Sequence, residues 1–324
     1  SPRRTAFNTI EHPIRLTGSA FEGRGYDPGA SAFFWKNLEK SLYDTARITV
    51  FGSSRRTGRP IKELSEAWAL RIEDEGPDTK RGGRVFVALL PMIGDAAPKL
   101  FEQRSLFGDP LNPEDTVLDW LGDVTTAIWR EERDSTLLDS ALLTQVAKYK
   151  GAEKKGLEEA EISTRRFRAT PVQVNSELGT RAEGLVHETP PTQIARIKGF
   201  LNQMAYLERS LSLNLDEGQR LRVLWEPEDI DEVKSLLGRQ VLLEGKLEFR
   251  PNGQPLILVA DRVREATARD DAWSELPRSA PALLRQSRLL QPSETNPLKR
   301  LSGILDGRVS DEEFTRMVEE FSRA

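Results

Sequence analysis

The chain reads as an α+β protein in three parts: an N-terminal mixed α/β-sheet domain, a small five-stranded β-barrel and a short helical C-terminal tail. Three observations predict this. Residues 192–266 carry hydrophobic residues at period two, broken once by a helical stretch. Residues 31–159 mix helical and strand patterns. The end of the chain carries two short amphipathic patterns behind a proline-bearing linker. Alternation marks a strand with one buried face, and i, i+3, i+4 spacing marks a helix with one buried stripe.

The barrel is the most readable part. Ile194 to Leu201 reads as a strand with a bend or bulge at Gly199. From Arg209 to Leu215, Leu211, Leu213 and Leu215 face one way and Ser210, Ser212 and Asn214 the other. Asp216-Glu217-Gly218 turns the chain. Leu221, Val223 and Trp225 then point inward, with Arg220 and Arg222 outward. Pro227 opens a helix over 228–237, where Ile230, Val233, Leu236 and Leu237 share a face and Gly238 supplies the stop. Gln240 to Arg250 returns to period two through Val241, Leu243, Leu247 and Phe249. Pro251-Asn252-Gly253 turns again, and Leu256 to Val263 is the last strand. Three strands, a helix and two strands is an order that resembles the OB fold, a five-stranded Greek-key barrel. The resemblance covers 192–266 and rests on element order alone.

Before the barrel, residues 1–30 read as an arm that crosses other structure, because Ile10, Ile14, Leu16 and Phe21 are spaced like contacts. Ser31 to Tyr43 predicts a helix on Phe34, Leu38 and Leu42. Ala46 to Phe51, Trp68 to Ile72 and Arg84 to Leu90 predict strands, with a polar, mobile connection over 73–83. Asn112-Pro113 has the form of a helix start, followed by Val117, Leu118, Leu121, Val124 and Ile128. Thr136 to Tyr149 predicts a second helix on Leu138, Leu142 and Val146. The α+β domain is thus expected over 31–159, with a connector over 160–191 that ends at Pro190-Pro191.

After the barrel, 267–296 reads as a linker and 297–324 as an amphipathic tail. Leu298 and Leu301 stripe its first helix. Ser310 and Glu313 form a capping box ahead of Phe314, Met317, Val318 and Phe321, which recur at i, i+3, i+4 and i+7.

Composition narrows the function. The net charge is −4 and no residue is Cys, so no disulfide framework, thiolate metal site or Cys nucleophile is available. Acids and bases nearly balance within the barrel, unlike a dedicated non-specific DNA binder. No run approaches a membrane span and no signal-peptide core opens the chain, so a cytoplasmic location with no membrane partner is expected. The two His, His12 and His187, stand in no metal-ligand spacing, and both read as packed or surface residues. No phosphate-binding Gly-rich loop, dinucleotide fingerprint or nucleophile elbow is present. Neither a cofactor nor a metal is expected.

Three functional readings follow. The first is a non-enzymatic accessory or scaffold subunit of a cytosolic assembly, binding another protein chain or a second copy through Phe314, Met317, Val318, Phe321, Leu298 and Leu301. The second is nucleic-acid binding, with Arg55, Arg56 and Arg59 on phosphates, Tyr206 stacking a base, and Arg220 and Arg222 on the barrel surface. A second arginine cluster, Arg165, Arg166 and Arg168, belongs to this reading too. The third is a hydrolase or nuclease. Its one motif is Glu244-Gly245-Lys246, an acid and a lysine on a strand, with Asp229 and Asp231 upstream; strand alternation explains the Glu–Lys pair equally.

Overall fold

The computed structural model describes residues 9–23, 25–54, 62–101, 111–205, 209–215, 218–227, 231–277 and 279. The described residues all fall within one compact unit. The tail stripe from Leu298 to Phe321 lies outside the described residues, as do Arg55, Arg56, Arg59 and Tyr206.

The N-terminal strand is the centre of the first sheet. β1 (Thr9–Thr17) lies between β3 (Arg84–Pro91) and β4 (Glu159–Ile162). β2 (Arg71–Pro77) and β5 (Val172–Asn175) form the edges, and every pairing is antiparallel. Alternation sets the faces: His12, Ile14 and Leu16 are buried, while Glu11 and Pro13 are exposed. The expected contacts at Ile14, Leu16 and Phe21 are made in the core.

Helices cover the buried face. α1 (Pro28–Phe51) is the longest at 24 residues, followed by the short α2 (Lys62–Ala67) and α3 (Ile93–Ala96). α4 (Val117–Trp129), α5 (Ser140–Val146) and α6 (Ser176–Glu188) complete the layer. α1 starts where Asp27 accepts the Gly29 and Ala30 amides and Pro28 takes the first turn. It ends at Gly52, which is left-handed at φ 78.

The structure differs from the sequence reading here in five places. Ala46 to Phe51, expected as a strand, is the last part of α1. Ile48, Val50 and Phe51 are all buried there, so a helix covered on every side shows no amphipathic period. β2 extends to Pro77, through most of the expected connection, because an edge strand with no buried side chain has no hydrophobic alternation to read. α4 is capped by Thr116 with Asp119 rather than opened by Asn112-Pro113, which form a turn before it. α5 is shorter than expected and passes into a 3-10 stretch at Ala147–Gly151. Residues 160–191, read as a connector, supply β4, β5 and α6; two four-residue strands are too short to declare a period.

The barrel forms as its periods indicate. β6 (Gln193–Ala205), β7 (Ser210–Asn214), β8 (Arg220–Trp225), β9 (Gln240–Phe249) and β10 (Pro255–Glu265) close in the order β10-β8-β7-β6-β9, with β10 also paired to β9. Four pairings are antiparallel and β8 with β10 is parallel. A five-stranded closed barrel with its helix α7 (Asp231–Ser235) between the third and fourth strands is consistent with the OB resemblance. Leu211, Leu213, Leu221, Val223, Trp225, Leu243, Leu247 and Phe249 share one core. The irregularity of β6 falls between Leu201 and Gln203 rather than at Gly199. Gly199 is instead a close approach, since a Cβ there would lie 2.7 Å from Leu213.

The outward face of β7 is not solvated. Ser210 and Ser212 are both fully buried. The end of α1 lies against this side of the barrel, and Arg222 reaches from β8 to the Val50 carbonyl at 2.7 Å. That carbonyl belongs to the last turn of α1, where no intrahelical donor remains, so a barrel cation caps a helix of the sheet domain. Arg222 also donates to Ser210 at 3.3 Å, and Gly52 leaves room for it. Ser53 bonds Glu248, Arg250 donates to the Asp134 carbonyl, and the Asn252 amide to that of Arg133. Leu224, Leu256, Ile257 and Val259 join the core of the sheet domain.

Candidate functional site

Burial of the β7–β8 side leaves one broad outer face of the barrel in water, made by β6, β9 and the second half of β10. Strand register orders it in rows. Ile194 on β6 stands opposite Lys246 on β9. In the next row Arg196 faces Glu244, which faces Arg262 on β10. The third row is Lys198, Leu242 and Arg264, and it is covered rather than open at its centre, with Leu242 only 1% exposed. Phe200 opposite Gln240 ends the series.

A short 3-10 turn, Ala268–Trp273, touches β6 on this face. Thr267 and Asp270 close it with a capping box. Asp270 takes both terminal nitrogens of Arg264, at 2.6 and 2.8 Å, and Lys198 is paired with Asp271. The bonds from Arg264 and Thr267 hold the Asp270 carboxyl far below the usual range. The first residues of the expected linker are thus fastened to the barrel. At the end of the turn Trp273 is 42% exposed, with the Arg196 guanidinium 5.9 Å from its ring centre. Arg196 is also paired with Glu244 at 3.1 Å. Ile194, two residues along the same face, is 89% exposed. The face therefore offers an aliphatic side chain, an indole and an arginine held between a ring and a carboxylate. Trp and Arg are the residues most often found at the energetic centre of protein interfaces.

The other sequence candidates are placed as follows. Arg222 uses its donors inside the molecule, on Val50 and Ser210. Arg220 is exposed and bonds Gln203 at 3.1 Å. Arg166 bridges Asp115, just before α4, at 3.1 Å and Asp123 on α4 at 2.7 Å, and Arg165 pairs with Glu114. In Glu244-Gly245-Lys246 the glycine has a packing reason: a Cβ there would lie 2.1 Å from the Val259 oxygen of β10. Asp231 pairs with Lys234 on the exposed α7.

Four titratable side chains gather around the first turns of α4: Asp115, Asp119, Asp123 and His12. Burial raises the Asp115 and Asp123 carboxyls, against the nearby Arg166 charge. Burial also pushes Asp119 up, but bonds from Thr164, Thr116 and Arg166 together hold it below the ordinary value. His12 is fully buried beside it, close to the Ser163 backbone. Burial lowers its pKa against the pull of the Asp119 charge, which keeps the ring neutral. Among the described residues no group of three or more His, Asp or Glu is placed to hold a metal ion, and no helix is long and apolar enough to cross a membrane.

The sequence expectation placed barrel contacts at Tyr206, Arg220 and Arg222, and the two arginines stand on β8, on the other side from this face. Ile194 and Phe200 sit at alternate positions of β6, so the outward set was readable there. Trp273 was not, because only the folded turn brings it back beside Arg196. No protein-family model, curated protein or solved structure matches this chain.

Proposed function

We propose that the chain is a non-enzymatic protein-binding subunit, an accessory or scaffold component of a larger assembly, and that the open barrel face is its docking surface. The observation that carries this is the patch of Ile194, Arg196 and Trp273, exposed on the one barrel side that the sheet domain leaves uncovered. A rigid strand and a capped turn hold these side chains in place, so little order has to be created on binding. The charges around the patch are interleaved, as they are at protein interfaces, and do not form a single-sign track for a phosphate backbone.

The outward side of β7 and β8 lends less support to a nucleic-acid reading, because Arg222 bonds the Val50 carbonyl and Ser210, and both β7 serines are buried. Arg220 stays exposed on the barrel, and Arg55, Arg56, Arg59 and Tyr206 lie outside the described residues.

The test is affinity purification of the tagged full chain from its own cells, beside an Ile194→Asp, Trp273→Ala double variant. The expected result is a stoichiometric partner with the native chain, lost with the variant, and unchanged melting. Reconstitution from purified components then confirms direct contact. A native chain that elutes alone, or a partner held equally by the variant, refutes the reading.

A further inference from the structure

The open face also carries a charge pattern that specifies the partner. Its outward positions hold five cations, Arg196, Lys198, Lys246, Arg262 and Arg264, on a chain whose net charge is −4. Three of the five are held: Arg196 by Glu244, Lys198 by Asp271 and Arg264 by Asp270. Lys246 and Arg262 are exposed, and neither has an ion-pair partner among the described residues. They flank Glu244 by one row and by one strand, and Lys246 stands directly opposite the exposed Ile194. An unpaired ammonium beside a bare aliphatic side chain, next to an indole, matches an acidic residue beside an apolar one.

We propose that this face binds an acidic–apolar segment of a partner protein. A carboxylate of the partner pairs with Lys246 and a second with Arg262, while an aliphatic or aromatic side chain packs on Ile194 and Trp273. Arg196 is already engaged by Glu244 and the indole, so it shapes the floor of the site. A nucleic acid fits this grid less well. Its phosphates recur at short intervals along the strand, and on this face they meet Glu244 and Asp271 between the cations. A protein segment can place its few carboxylates to avoid them. This inference rests on the docking surface proposed above.

The experiment selects random dodecapeptides displayed on phage against the immobilised full chain, then against a Lys246→Glu, Arg262→Glu variant and an Ile194→Asp, Trp273→Ala variant. Enriched peptides are synthesised, and their binding to soluble protein is measured by fluorescence anisotropy with labelled oligothymidylate as competitor. Native protein is expected to enrich peptides with Asp or Glu next to a large apolar residue. The charge-reversed variant is expected to bind them at least about tenfold more weakly and to enrich basic peptides instead. Raising salt from about 50 to about 300 mM is expected to weaken native binding. If enriched peptides carry no acidic bias, or bind the charge-reversed protein equally, the acidic partner is refuted. If those same peptides are lost only with the Ile194→Asp, Trp273→Ala variant, the docking surface stands without it. If neither variant changes binding, both proposals fall. Displacement by oligothymidylate overturns the protein partner in favour of a nucleic acid.

Discussion

Replacing Asp44 by Asn raises the stability of this chain at neutral pH. Asp44 lies on α1 and is only 7% exposed. Burial pushes its carboxyl from 3.8 up to about 6, with Asp139 adding to the rise and Lys40, Arg47 and Lys148 opposing it. The sign follows from proton linkage. Below 3.8 the group is protonated in both states and costs nothing through its charge. As pH rises toward 6 the unfolded chain gives up this proton more readily than the native one, so stability falls; above 6 the loss is constant. A tenfold change in proton affinity is worth about 1.4 kcal/mol, so the ionised group costs about 3 kcal/mol at pH 7. Asn keeps the shape without the charge but brings an amide that must find partners, so the expected gain is about 1–3 kcal/mol. Urea unfolding of both proteins across the acid-to-neutral range checks this. The variant should be the more stable at neutral pH, and the difference should shrink to near zero below about pH 4. A variant clearly less stable at neutral pH refutes the reasoning, because the attractions to Lys40, Arg47 and Lys148 would then outweigh burial.

Other outcomes follow from the same structure. Arg222→Ala strips a charged donor from the last turn of α1 and from Ser210, and should cost about 2–3 kcal/mol in urea unfolding; a loss near zero would mean that the barrel does not cap the helix. Gly245→Ala forces a Cβ against the Val259 oxygen and should cost about 3 kcal/mol, read as a lower melting temperature. His12 is held neutral, with its folded pKa below the ordinary value, so its contribution is present above about pH 6.5 and lost as pH falls through that window. The stability difference between native protein and His12→Leu should therefore move with pH there, and a flat difference would contradict it. Ile194→Asp with Trp273→Ala touches exposed groups only and should leave the melting temperature within about 2 °C of the native value.

What the sequence reveals depends on how many sides of an element are buried. The barrel strands are legible because each has one core face: Leu211 and Leu213 alternate with serines, and Leu221 and Val223 with arginines. The last part of α1 is illegible because Ile48, Val50 and Phe51 are all buried, and such a largely apolar, β-branched run then looks like a strand. β2 fails for the opposite reason, since it buries nothing. The docking face is half legible. Ile194 is visible as an outward residue of β6, whereas its neighbourhood with Trp273 depends on a turn that returns across the strand. The covering of Ser210 and Ser212 could not be foreseen, because alternation tells which face is outward without telling whether another domain lies there.

The central place of β1 has a consequence for how the protein is made. Its Arg15 pairs with Glu161 on β4, 146 residues away. At a synthesis rate of about 5–20 residues per second, that partner emerges about 7–30 s later. During this interval β1 lacks its β4 neighbour, and β3, once made, can pair with it on one side only. A nascent chain in this state presents a bare strand edge, the feature that recruits chaperones and invites pairing between neighbouring chains. Trimming the chain ahead of α1 makes that condition permanent, because β3 and β4 lose the strand between them and the sheet is left in two pieces. Expression of such a truncated form should give insoluble protein, however stable the barrel remains.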